Sequence, residues 1–199
     1  MTTRRVGAET SRTRALLLDR TEQLMINEGY AAVTYRRVAV GGGVTPGLVQ
    51  YYFPTLDDLF IALLRRDSQR NIDKLSKAVA ANPQSPVRAV WEFGRDEVSA
   101  ALMMEFMALG NHRKAIRAEI AEVTRRSREE QIRILTGTAA YRLTEAEIQP
   151  AALSFLLAGI PKLMLLDEEL GISLGHAEAL ALIERQMSNI QPDGTPGSL

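Results

Sequence analysis

An all-α fold follows from three features of this 199-residue chain. Apolar residues recur at helical spacing from about Ser11 to Asn189, clean alternation of apolar and polar residues is absent, and two short helical patterns flank Gly41, Gly42 and Gly43. Two helices joined by a short glycine-containing turn describe a helix-turn-helix. The expected architecture is a three-helix head over residues 1–54, a helical body over 55–190, and a disordered tail over 191–199, which is rich in Pro, Gly and Ser.

Composition bounds what such a chain does. Hydrophobic residues make up 46% of it, enough for a substantial core, and the absence of cysteine excludes disulfides, thiolate chemistry and cysteine-bound metal. The first ten residues lack the apolar core of a signal peptide, and no run reaches the roughly 18 apolar residues of a membrane span. The expectation is a soluble cytoplasmic protein with no membrane partner. The formal charge is zero, yet residues 1–54 carry seven arginines against four acids, or +3, leaving −3 for the remainder. That asymmetry fits a nucleic-acid-binding head on a neutral-to-acidic body.

Residues 1–10 show no periodicity and read as a disordered arm, with Arg4 and Arg5 either available to a phosphate or minor groove or simply part of a frayed terminus. From Ser11 to Glu28, Leu17, Leu18, Leu24 and Met25 recur at helical spacing, and Gly29 supplies the stop. Thr34 is the expected N-cap of a second helix with Val38 and Ala39 on its apolar side, and the three glycines end it. Thr45 then caps a third helix with Pro46 at its first position, where a missing N–H costs nothing. Val44, Leu48 and Tyr52 fall at i, i+4 and i+8 and lean inward with Val49 beside them.

The opposite side of the third helix carries Thr45, Pro46, Gly47, Gln50 and Tyr51, with no bulky aliphatic residue and no acid. In a helix-turn-helix this is the surface presented to the DNA major groove. Gly47 lets backbone approach a base pair, Gln50 has the donor and acceptor pair suited to adenine, and Thr45 and Tyr51 reach phosphate oxygens. Thr34, Arg36 and Arg37 complete the candidate DNA-binding set, Arg36 as a contact to the phosphate backbone of any sequence. An ordinary α-hairpin with an exposed polar face would share this spacing.

The segments Gly29 to Ala39, G-Y-A-A-V-T-Y-R-R-V-A, and Gly43 to Pro54, G-V-T-P-G-L-V-Q-Y-Y-F-P, resemble the TetR family of transcriptional regulators. The similarity is specific over roughly Arg14 to Leu64. Three positions depart from the family pattern: Arg37 stands where an acid is usual, Gln50 replaces a frequent phosphate-binding Tyr, and Thr55-Leu56 replaces Ser-Lys. The last change removes a phosphate contact, so backbone anchoring has to come from elsewhere.

Pro54 closes the third helix, and Thr55 with Asp57 and Asp58 opens a long one, its acids matching the helix dipole. That helix is expected to run to about Ala81 and to link head to body, so that its tilt becomes the lever for regulation. Ser85 and Pro86 start the next. Helices follow over about 87–95, 97–111, 114–135, 145–170 and 175–189, with Gly137 and Thr138 separating the third of these from the fourth.

Trp91, Phe93, Leu102, Met103, Met104, Phe106, Met107 and Leu109 concentrate aromatic and Met side chains within about twenty residues. Such a cluster either fills a core or lines an adaptable pocket for an apolar ligand. The resemblance favours the pocket, since related regulators hold an inducer between the middle helices, and Trp91, Met103, Met107, Asn111 and His112 form the candidate ligand set. In the last two helices Leu153, Leu156, Leu157, Ile160, Leu163, Met164 and Leu166 exceed a single stripe, with Pro161 expected to kink the helix, and Ala177, Leu180, Ala181, Ile183 and Met187 face them. The resemblance implies a homodimer through a four-helix bundle of these helices. A two-fold dimer would set two recognition helices about one DNA turn, ~34 Å, apart and read a palindromic operator.

Catalysis has little support. His112 and His176 are the only histidines, neither lies in a metal-ligand spacing, and neither a nucleophile elbow nor a phosphate loop is present, so no metal, cofactor or enzyme activity is expected. The reading is a ligand-responsive DNA-binding repressor. The alternative is a helical small-molecule-binding protein or enzyme whose head has lost DNA activity.

Overall fold

The computed structural model describes residues 3–137 and 148–190. Among them every regular element is helical: α1 (Thr3–Glu28), a 3-10 turn (Tyr30–Ala32), α2 (Tyr35–Gly42), α3 (Pro46–Tyr52), α4 (Leu56–Ala81), α5 (Pro86–Gly94), α6 (Glu97–Gly110), α7 (Lys114–Gly137), α8 (Pro150–Glu169) and α9 (His176–Ile190). The expected helix start near Glu145 and the expected tail over 191–199 lie outside the described residues. Helix α1 begins at Thr3, well before Ser11, where a disordered arm was expected. Arg, Glu and Ala are good helix formers and extend a helix without any apolar stripe to announce it.

The chain divides into two compact units, Met1–Gln69 with Ala101–Thr124, and Arg70–Ala100 with Arg125–Leu199. The core of the first gathers Leu17, Leu18 and Met25 of α1, Val38 and Ala39 of α2, Val49 of α3, Leu59, Phe60, Leu63 and Leu64 of α4, and Leu102, Phe106 and Leu109 of α6. Polar side chains lock the same elements together. The Arg66 guanidinium donates to Asp19 and Glu22, both at 2.7 Å, and to the Ala15 carbonyl at 3.1 Å, holding α4 against α1. Arg65 makes a two-pronged pair with Glu119 at 2.8 and 2.7 Å, the geometry in which a guanidinium binds a carboxylate best. Arg113 pairs with Asp57 and lies 5.8 Å from the centre of the Phe60 ring. Asp57 thus has a distant partner in addition to its place in the first turn of α4.

In the second unit Leu75, Val87, Val90, Trp91, Ile134, Leu135, Leu153, Leu157 and Met187 form the core. A buried polar pair crosses it, the Ser154 hydroxyl donating to Gln131 Oε1 at 2.8 Å. Helices α5 and α8 approach until their backbones touch: a Cβ built on Gly94 would sit 2.6 Å from the Leu157 carbonyl oxygen, so only glycine fits. Pro86 occupies the first turn of α5, but the Ser85 side chain makes no capping bond. Asp96 caps α6 through the Ser99 N–H at 3.0 Å and receives Lys74 Nζ at 3.1 Å.

Helix α8 is the one described helix long and apolar enough to cross a membrane by length and composition, with a mean hydropathy of 1.4 over its best window. Pro161 lies within it.

A candidate nucleic-acid interface and two cavities

Local chemistry sets the geometry of α2 and α3. The Thr34 hydroxyl accepts from Arg37 N–H at 3.2 Å and the Thr45 hydroxyl from Leu48 N–H at 3.4 Å, as N-caps stabilising by about 1 kcal/mol each do. Gly43 takes the left-handed conformation, φ 64, and Val44 N–H reaches back to the Ala39 carbonyl at 3.0 Å, which closes α2. Of the three glycines, Gly41 and Gly42 remain helical rather than forming the turn. There the lack of a side chain permits close packing: a Cβ on Gly42 would lie 3.3 Å from Leu17 Cδ2, and one on Gly41 3.2 Å from Arg20 Cδ.

Helix α3 buries Val49 completely and Phe53 almost so, with Val44 and Tyr52 partly covered on the same core. That leaves Thr45, Pro46, Gly47, Gln50 and Tyr51 exposed on one face, Tyr51 at 76%. Among the described residues nothing lies within 4 Å of a Cβ built on Gly47, so their packing demands no glycine at that position.

The end of α3 is held by Tyr35, whose hydroxyl lies 3.0 Å from both the Phe53 and Pro54 carbonyl oxygens. Burial, with the Asp58 carboxylate, pushes this phenol above its ordinary pKa and keeps it a donor. Arg14 adds a guanidinium 5.2 Å from the Phe53 ring centre. Thr55 and Asp58 cap α4 reciprocally, each side chain accepting from the other's backbone N–H, at 2.9 and 3.1 Å. Glu105 of α6 accepts from Tyr30 N–H at 2.6 Å, tying α6 to the turn between α1 and α2, where Gly29 has φ 81.

The other three candidates for DNA contact differ. Arg36 is exposed and has no acid partner among the described residues. Arg37 is paired with Glu28, whose carboxylate it holds below the usual range chiefly through their hydrogen bond. Thr34 is occupied as the cap of α2.

The five candidate ligand residues do not come together. Trp91 is buried in the second unit, whereas Met103 packs on the core of the first, Met107 is 54% exposed, and Asn111 and His112 are exposed at the end of α6. Helix α6 is apolar on nearly every side, so the pattern named no single face for a pocket. Its last carbonyls are met by Arg117, which donates to Gly110 and Asn111 at 3.1 and 3.2 Å, rather than by His112. Cavities open among the described residues of the second unit. One of about 330 Å³ is walled by Leu75, Ala78, Ala89 and Phe93, and one of about 120 Å³ by Trp91, Pro161, Met164, Leu165 and Leu180. Among the described residues no three His, Asp or Glu side chains gather as a metal site.

The sequence profile of bacterial regulatory proteins of the tetR family matches residues 17–63, the span from α1 into α4 that builds this surface. Over this span the chain is similar to the TetR family. It is 31% identical over 100 residues to the HTH-type transcriptional regulator BetI of Paraburkholderia phytofirmans, a match covering 48% of this chain and 51% of that relative. With BetI of Rhizobium meliloti it shares 29% over 175 residues, 87% of this chain and 76% of the relative. The matched stretch thus spans about half the length of the first relative and three quarters of the second. These relatives are transcriptional regulators, not enzymes. Among solved structures, a putative TetR-family transcriptional regulator from Rhodococcus superposes with TM-score 0.69 at 20% identity, covering 89% of this chain and all of the other. A putative transcriptional regulator from Saccharomonospora viridis in complex with choline gives 0.71 at 17%, covering 87% and 96%. At such identities they establish that a TetR-family chain and this one share a fold.

Proposed function

We infer that the protein is a transcriptional regulator that reads double-stranded DNA with α3 and responds to a small ligand. The observation that carries this is the division of α3 into a face sealed by Val49 and Phe53 and an exposed face of Thr45, Pro46, Gly47, Gln50 and Tyr51. Gln50 is the base-reading residue, through its paired donor and acceptor, and Arg36 the phosphate contact; Arg37 is held by Glu28 and serves the head. Repression is the mode of action, exercised in the cytoplasm.

The protein acts as a homodimer on a palindromic operator. Support comes from α8, where Phe155, Gly159, Leu163, Leu166 and Leu170 follow one another at helical spacing and are all exposed, Phe155 at 57% and Leu163 at 58%. Leu182 of α9 adds to this apolar surface, and a second copy of the same helices covers it. The ligand has a largely apolar body and releases the operator. One protein of this fold is held with choline and another, EbrR, with imidazole, which supports a small ligand in this one.

A gel shift on DNA upstream of the protein's own gene, across a salt series, tests the reading. Gln50→Ala weakens operator binding by about 1–3 kcal/mol and relaxes preference at one base pair. Equal losses on operator and random DNA would contradict the role of Gln50, and no salt-dependent shift on any DNA would end the regulator reading in favour of a helical small-molecule binder.

A further inference from the structure

Buried donors in folded proteins have partners, and one without asks for an explanation. Trp91 is fully buried in α5, yet its indole Nε1–H has no acceptor among the described residues. An indole N–H donates and accepts nothing, so only an acceptor atom brought to it can satisfy it. The same residue lines the cavity of about 120 Å³. That space suits a small molecule, since drug-sized ligands occupy roughly 300–1,000 Å³. Besides Met164, Leu165 and Leu180, the cavity is bounded by three charged side chains, Arg95, Glu97 and Glu168. Arg95 and Glu97 have no ion-pair partner among the described residues. Glu168 Oε1 lies 3.8 Å from His176 Nδ1.

Each class of ligand meets these groups differently. A wholly apolar molecule leaves the indole N–H and all three charges as they are. An anion answers Trp91 and Arg95 but faces two carboxylates. A cation answers the carboxylates but offers the N–H nothing. A zwitterion with a short aliphatic body answers every group at once.

We propose that this cavity binds a small aliphatic zwitterion of the amino-acid type. Its carboxylate takes the Trp91 N–H and Arg95, its cationic end lies toward Glu97 and Glu168, and its branch packs on Met164, Leu165 and Leu180. The proposal deepens the ligand-responsive reading and rests on it only for the effect on DNA; binding itself is measured without DNA.

Trp91 is the only tryptophan in the chain, so tryptophan emission reports on the surroundings of this one side chain. The full-length protein is titrated with L-valine, with isovalerate, which lacks the amino group, and with isobutylamine, which lacks the carboxylate. Valine gives a saturable change in emission with a Kd about tenfold or more below those of the other two. Arg95→Gln, at an exposed position, keeps the helical circular dichroism and weakens valine about tenfold. Glu97→Gln narrows the gap between valine and isovalerate. By calorimetry Trp91→Phe, which loses the N–H but keeps a ring, also weakens valine.

No response to valine up to roughly 10 mM, weaker than ordinary recognition, overturns the proposal and leaves the N–H to an ordered water. So does an equal response to all three compounds, or valine binding unchanged in Arg95→Gln. Salt-dependent operator binding alongside no valine response sinks this site alone. Valine binding without any operator binding sinks the regulator reading alone.

Discussion

Gly47→Ala separates the stability of the head from its recognition of DNA, because the two are expected to move in opposite directions. Gly47 sits in α3 at an ordinary negative φ, and among the described residues nothing lies within 4 Å of the added methyl. Alanine therefore costs no contact and removes freedom from the unfolded chain, which stabilises by about 0.4–1 kcal/mol. For a chain of this size 1 kcal/mol is worth about 2–4 °C, so the melting temperature rises by roughly 1–4 °C. On the outside, the same methyl stands where a base pair has to come close. Overpacking a fitted surface costs about 1–3 kcal/mol, or roughly five- to 150-fold in affinity. Thermal unfolding followed by circular dichroism and a gel shift on the operator read the two effects in one preparation. A lower melting temperature would show that α3 packs differently, and unchanged operator affinity would show that the Gly47 face does not meet DNA.

Glu105→Ala leaves the Tyr30 N–H without its charged acceptor and is expected to cost about 1.5–3 kcal/mol, lowering the melting temperature by roughly 3–12 °C; Glu105→Gln, which keeps an oxygen, loses less. Arg36→Ala weakens binding to operator and random DNA alike and reduces the slope of affinity against salt by about one, read by fluorescence anisotropy over a salt series. Leu163→Arg places a charge on the exposed apolar stripe of α8, and light scattering then reports 22.0 kDa for the variant and twice that for the parent. At Asp96, burial raises the pKa, but the Ser99 N–H and Lys74 outweigh it and leave it below the usual range. A carboxylate with a depressed folded-state pKa contributes stability above its unfolded pKa of about 4 and loses it as pH falls through the folded value. Asp96→Asn accordingly flattens the acid limb of stability below about pH 4, measured by urea unfolding.

The helix-turn-helix was legible because its signals are local. Thr34 and Thr45 as caps, Pro46 at the first position and a glycine at φ 64 each act within four residues, and the chain can be read for them one turn at a time. The exposed set on α3 followed from periodicity alone. The ties that position it did not: Tyr35 to Phe53, Glu105 to Tyr30 and Arg66 to Asp19 and Glu22 join residues 18 to 75 apart in the chain, and no spacing rule reaches that far. The ligand set failed to converge for a related reason. Trp91 and Met103 lie twelve positions apart, yet their helices contribute to different cores, and a helix apolar on most sides gives no sign of which neighbour each side faces. The first turns of α1 bear no apolar stripe, so periodicity does not mark where that helix begins.

The backbone contact at Gly94 and Leu157 bears on how the smaller cavity can adapt. With α5 already against α8, that seam has no slack to widen, and a guest beside Trp91 has to make its room by rotating thioether and leucyl arms. Strain from an oversized guest would then run lengthwise through α5 instead of prying the pair apart. Gly94→Ala would wedge the seam open and let the backbone yield first, exchanging a stiff gauge for a soft one.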